Sequence, residues 1–194
     1  MKIAPGVDSS EWQSLKLDDP HSPDWSRAIS ILRERIYGRY FDPVDHLIEV
    51  EQQKPAVKRR FGFAIVAIDC LLIETFGAFV EGLETTDGKS KATFCKFLTT
   101  RPKFNAAFTE DLAKQFYEEF RCGILHQAEV GGASKVWSVG DFVRRDGAMV
   151  IVNRTEFHKR LKEDFDDYLD ELAQPSNVDL RRNFRKKMDF MCRH

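Results

Sequence analysis

The sequence predicts an all-α protein, a helical bundle carrying one small inserted β-hairpin at about residues 135–152. Three observations lead there. Apolar residues recur at helical spacing through most of the chain, as in Trp25, Ile29, Leu32 and Ile36. Phe accounts for 16 residues against 3 Trp and 4 Tyr, so phenyl rings packed with aliphatic side chains should dominate the core. The period shifts toward two between Ser134 and Val152, where Arg145-Asp146-Gly147 separates two β-branched runs, and Asp-Gly in that setting is a hairpin signal.

The first twenty residues carry little periodicity and read as an extended arm. Ser22-Pro23-Asp24 starts a helix running to about Tyr40, with Pro at the first helical position. Asp42-Pro43 repeats the signal for a short helix ending near Pro55. A long central helix is expected over residues 57–83, entered through Lys58-Arg59-Arg60 and ended by Gly82 and the cluster Thr85-Thr86-Asp87-Gly88. A short helix over residues 92–98 precedes a loop at Arg101-Pro102. Thr109-Glu110-Asp111 caps the next helix, with Leu112, Phe116, Phe120 and Ile124 down one side. Val130-Gly131-Gly132 breaks that pattern ahead of the hairpin. A helix over residues 156–173 carries Phe157, Leu161, Phe165, Leu169 and Leu172 on one stripe and stops at Pro175. Residues 176–194 form a basic C-terminal helix or tail, and no repeat or domain boundary interrupts residues 1–194, which read as a single domain.

A net charge of −1 gives no global attraction to nucleic acid or membrane, so any anionic partner must meet a local patch. The four cysteines, Cys70, Cys95, Cys122 and Cys192, form no C-x-x-C pair, and the first residues lack an apolar leader core. Both point to reduced thiols in a cytoplasmic setting. The apolar stretch over residues 61–83 contains Asp69, Glu74 and Glu81, which favours the central helix of a bundle over a membrane span.

The segment from Phe116 to Gln127 holds the best candidates for chemistry, Arg121 and His126. On a continuous helix, positions five apart lie about 140° around the axis, so the two converge only if Gly123 loosens the turn or if both face a cleft or a partner subunit. A guanidinium binds a phosphodiester bidentately and steadies the charge that builds during displacement. Imidazole, which titrates near neutrality, moves the proton of an attacking or leaving oxygen. No metal is needed where the nucleophile is an RNA 2′-hydroxyl.

An aromatic residue followed by Arg, four residues and His at the end of a helix resembles the R-x(4–6)-H motif of the HEPN superfamily, here Arg121 and His126. The resemblance extends loosely over residues 56–175, with Ile73-Glu74-Thr75-Phe76 similar to the polar-in-apolar segment of such domains. It implies a helical bundle that dimerises, two Arg/His pairs in a shared cleft, an RNA substrate and no cofactor. It also implies a metal-independent endoribonuclease of the toxin or phage-defence type, with an antitoxin or regulatory protein as a further partner. Other members serve as non-catalytic binding modules. Two positions depart from the pattern: Cys122 stands where Asn, Asp or His is common, and Gln127 where many toxins have Tyr.

Glu74 lies among Leu71, Leu72, Ile73 and Phe76, so a buried carboxylate there needs a partner. It reads either as half of a structural ion pair, with Arg121 among the candidates, or as the group orienting Arg121 or His126. The C-terminal cations Arg181, Arg182, Arg185, Lys186 and Lys187 read as a solvated amphipathic helix or as an RNA-binding strip, to which Lys58, Arg59 and Arg60 would add. The acids Asp164, Asp166, Asp167, Asp170 and Glu171 read as a solvated helix face, and His158 lacks the spacing of a zinc site. His21, His46 and His194 have no companions that suggest ligation, and no Gly-rich phosphate cradle is present.

Overall fold

The computed structural model describes residues 1–193, and His194 lies outside them. They are mostly helical with two small β-sheets, so the all-α expectation holds only coarsely. The chain forms two compact units, each made of non-contiguous segments.

One unit takes residues 1–43, 78–86 and those from 165 on. The expected extended arm is folded: β1 (Lys2–Ala4) and β2 (Val7–Asp8) pair antiparallel, and α1 (Ser9–Ser14) follows. Gly6, at φ +74°, supplies the left-handed residue that a Pro5-Gly6 reversal needs. What holds the arm is burial of Ile3, Val7 and Trp12, each no more than 3% exposed. The Trp12 indole N–H donates to Asp189 Oδ1 at 2.8 Å, and its ring meets Phe184 edge-on at 5.5 Å. α2 (Asp24–Ile36) starts where expected, with the Ser22 hydroxyl accepting from the Asp24 N–H, and a π-helical turn over residues 37–41 joins it to α3 (Asp42–Gln52). The second half of α8 (Arg154–Ala173) and α9 (Val178–Arg193) complete this core through Phe165, Leu169, Phe184 and Met188.

The other unit takes residues 44–77 and 87–164. The central helix, α4 (Gly62–Glu81), begins later than the expected residue 57. Residues 56–58 make a 3-10 turn instead, because the Arg60 and Phe61 N–H groups donate to the Glu51 carboxylate rather than entering a helix. α5 (Ser90–Thr100), α6 (Glu110–Phe116) and α7 (Gly123–Gln127) follow. The inserted hairpin is part of a three-stranded mixed sheet. β4 (Val143–Asp146) and β5 (Met149–Asn153) turn at Gly147, and β3 (Lys135–Trp137) adds to β5 in parallel, giving the order β3-β5-β4.

Phenyl rings form the core of this unit, as the composition implied. Phe116 stacks on Phe120 at 4.6 Å and on Phe157 at 5.3 Å, and Phe157 meets Phe104 at 5.5 Å. Each such ring contributes about 1.5–3 kcal/mol by burial.

Charges are buried here only in pairs. Arg101 holds Asp164 at 2.9 Å, Arg154 holds Glu51, and His158 Nδ1 lies 2.7 Å from Asp69 Oδ1. Asp164 is therefore no part of the solvated acidic face expected for α8. Asp166 also departs from it, accepting from the Tyr37 hydroxyl and Arg33. Among the described residues α4 alone is long and apolar enough to cross a membrane, and 56% of that window is buried within the protein.

Candidate functional site

Thr109 caps α6, its hydroxyl accepting from the Leu112 N–H at 3.3 Å. Leu112, Phe116 and Phe120 are buried at the expected spacing of four. After Phe116 the backbone widens into a π-helical turn over residues 117–122, and the Gly123 N–H reaches back five residues to the Glu118 carbonyl. Such turns insert a residue into an α-helix and re-aim the side chains that follow. Arg121 sits in this turn, and His126 in the last turn of α7.

Gly123 is required by what packs on it. A Cβ there would lie 2.6 Å from the Glu129 carbonyl oxygen and 3.0 Å from the Gly131 nitrogen. The chain reverses over α7 through Ala128, at φ +55°, and returns so that the Gly131 N–H donates to the Glu119 carbonyl at 2.8 Å. The π turn loosens the helix between Phe116 and Gly123, while Gly123 admits the returning segment.

Arg121 is half-buried and doubly held. Its Nη2 lies 3.1 Å from Glu74 Oε2, with the two side chains 21% and 14% exposed. Its guanidinium carbon lies 5.4 Å from the centre of the Tyr117 ring, whose hydroxyl pairs with Ser90 Oγ at 2.9 Å. Burial works against the guanidinium charge, but Glu74 and Tyr117 outweigh it and raise its pKa further. Of the partners open for Glu74 on sequence grounds, the structure selects Arg121. His126 is exposed, as is Gln127, while Cys122 is half-buried. Burial and the neighbouring Asp69 push the Cys70 thiol well above its usual range, which makes it inert. Large apolar side chains are exposed on two of these helices: Phe63 and Leu71 on α4 are 38% and 48% exposed, and Leu125, next to His126 on α7, is 62% exposed.

The expected nucleic-acid cations divide between the two units. Lys58 and Arg60 are exposed, whereas Arg59 donates to Ser138 Oγ at 2.7 Å. Arg181 is 4% exposed and occupied: it donates to the Leu172, Ala173 and Pro20 carbonyls and lies over the Trp25 ring. It closes the end of α8 rather than facing a ligand. Arg185 pairs with Asp18, Arg182 with Asp179, and Lys187 donates to the Glu84 carbonyl, while Lys186 is exposed.

Sequence reasoning missed two groupings. Trp137 stands 41% exposed on β3 with the Arg144 guanidinium 5.7 Å from its ring, and the Glu51–Arg154 pair lies beside it in one cleft. The basic-aromatic run Lys135-Val136-Trp137 was the available signal for the first. His158, set aside as lacking zinc spacing, belongs to the Asp69 pair, with Asp45 3.5 Å from its Nε2. Among the described residues no group of three or more His, Cys, Asp or Glu side chains is placed to hold a metal ion. Comparison with protein-family models, with curated proteins and with solved structures finds no match to this chain.

Proposed function

We propose that this chain is a HEPN-type, metal-independent endoribonuclease that acts as a homodimer in the cytoplasm. The observation that carries the reading is the division of labour in the turn over residues 117–127. Arg121 is steadied by Glu74 and Tyr117, while His126 is left exposed at the helix end. A fixed guanidinium suits a phosphate and its developing charge, and a solvent-facing imidazole suits proton transfer. The exposed apolar groups Phe63, Leu71 and Leu125 offer apolar surface to a second copy.

In this mechanism His126 takes the proton of the 2′-hydroxyl as its oxygen attacks the adjacent phosphorus. Arg121 holds the non-bridging oxygens through the pentacovalent state. The bond from phosphorus to the 5′-oxygen breaks, and the partner's His126 or a water protonates that oxygen. The products are a 2′,3′-cyclic phosphate and a 5′-hydroxyl end.

The test is cleavage of a mixed RNA pool in EDTA by wild-type and His126→Ala protein. The proposal expects cleavage by the wild type and its loss in a variant of unchanged circular dichroism. Full cleavage by folded His126→Ala protein rules the assignment out. A second reading, a non-catalytic helical module that binds a protein or nucleic acid, is favoured by the Glu74 contact, which occupies the guanidinium that catalysis would use. Glu74→Gln separates the two: a fall in turnover at unchanged fold fits orientation of Arg121. A fall of about 1 kcal/mol in stability alone fits a scaffold.

A further inference from the structure

A cleft of about 260 Å³ opens in the second unit between residues 51–62, the end of β3 and the start of α8. Arg154, 2% exposed, lines it. Its Nη1 donates to Glu51 Oε2 at 2.5 Å, while its Nη2 is buried without a partner. A buried N–H of a cation is costly unless an acceptor meets it. Glu51 cannot be that acceptor for a second time at low cost, since its other oxygen takes the Arg60 and Phe61 N–H groups.

Arg59 adds a second guanidinium. It is pinned by Ser138 Oγ at 2.7 Å and the Lys54 carbonyl at 3.3 Å, which leaves the Ser138 hydroxyl proton free to donate into the cleft. Arg154 and Glu51 balance one another, so the cleft carries one net positive charge, and the N-terminus of the 20-residue α8 adds to it. Its outer wall is apolar and open, with Trp137 41% and Val139 60% exposed. Arginine pairs with a hydroxyl suit a phosphate, and an exposed indole suits a stacked base. The volume lies just below the range of about 300–1,000 Å³ usual for small-molecule sites, enough for one nucleotide and too small for a duplex.

We propose that this cleft binds a phosphorylated nucleoside, its phosphate on Arg59 and Ser138 with the buried Arg154 guanidinium behind them, and its base against Trp137. The nucleotide comes either free or as the phosphorylated end of an RNA strand. Binding here requires no cleavage at Arg121 and His126, so it stands if that chemistry fails.

The full chain carrying His126→Ala, which keeps RNA intact, is titrated with the four 5′-mononucleotides, with adenosine and with inorganic phosphate. Binding is followed by tryptophan fluorescence and calorimetry. A second arm compares a short RNA bearing a 5′-phosphate with the same RNA bearing a 5′-hydroxyl. The expected result is saturable binding of a mononucleotide with quenching of Trp137, and binding at least about tenfold weaker for adenosine and phosphate. Arg59→Gln and Trp137→Leu each weaken it about tenfold or more, with circular dichroism unchanged. Arg154 is left intact, because its loss would strand the buried Glu51 charge. Tighter binding of the 5′-phosphorylated RNA assigns the strand end, and equal or weaker binding assigns the free nucleotide. No saturable binding in either arm overturns the proposal. So does phosphate binding as tightly as the nucleotides, or affinity untouched by both substitutions.

Discussion

Gly123 is where a single hydrogen atom decides the geometry around Arg121 and His126. With the Glu129 oxygen 2.6 Å from any Cβ, Gly123→Ala must push the returning segment off α7. Backbone is the obstacle, so no side chain can rotate out of the way. The expected loss is about 1–3 kcal/mol, read from the urea midpoint. The same variant should expose the 128–134 segment to protease, since the Gly131 N–H bond to Glu119 holds it down. An unchanged midpoint would mean that the segment is not packed there. Arg121 and His126 were legible as candidates, because residue type and spacing suggest phosphate chemistry. Glu74 was legible as a buried acid in need of a cation, but its choice of Arg121 was not: 47 residues separate them. The Glu51–Arg154 pair, 103 residues apart, left no local pattern at all.

Helices were readable where their apolar spacing is local, as in α2 and α8, and the breakdowns have physical causes. A π turn leaves Leu112, Phe116 and Phe120 at an α-like spacing of four, because the extra residue is absorbed by backbone hydrogen bonds that no side-chain pattern records. The hairpin was readable from Asp146-Gly147, whereas the parallel pairing of β3 with β5 depends on a partner beyond the turn. The first twenty residues show no period because their strands, Lys2–Ala4 and Val7–Asp8, are too short to carry one, and only Pro5-Gly6 between them marks the turn. At this scale the exposed side of α4 carries its own prediction. Phe63 and Leu71 lie eight residues apart on it, on a helix whose other side is core. Leu71→Lys, at a position already 48% exposed, should leave the fold intact and convert the proposed dimer to monomer in sedimentation. It should also abolish RNA cleavage. A dimer that persists with full activity would place the interface elsewhere.

For the whole molecule, acid is the informative perturbation. Burial opposes ionisation of Glu51, but the Arg60 and Phe61 N–H groups and Arg154 overcome it, holding its pKa below the ordinary 4.5. The unfolded carboxylate therefore takes up a proton at higher pH than the folded one does. The stabilisation is complete above about pH 4.5 and is lost as pH falls through the folded pKa. Thermal melts of the wild type should drop steeply on going from about pH 5 to about pH 3. Glu51→Gln, already weaker at neutral pH, should change less over that interval. Parallel pH profiles for the two proteins would assign the acid sensitivity to other carboxylates.

The central claim is that Arg121 and His126 cleave RNA through its own 2′-hydroxyl, and the most direct measurement is the chemistry of the ends. Wild-type protein is incubated in EDTA with an RNA and with the same RNA fully 2′-O-methylated, and the products are identified by mass spectrometry. The account predicts 2′,3′-cyclic phosphate and 5′-hydroxyl ends from the first and no cleavage of the second. Cleavage of the methylated strand, or products with 5′-phosphate ends, would contradict it.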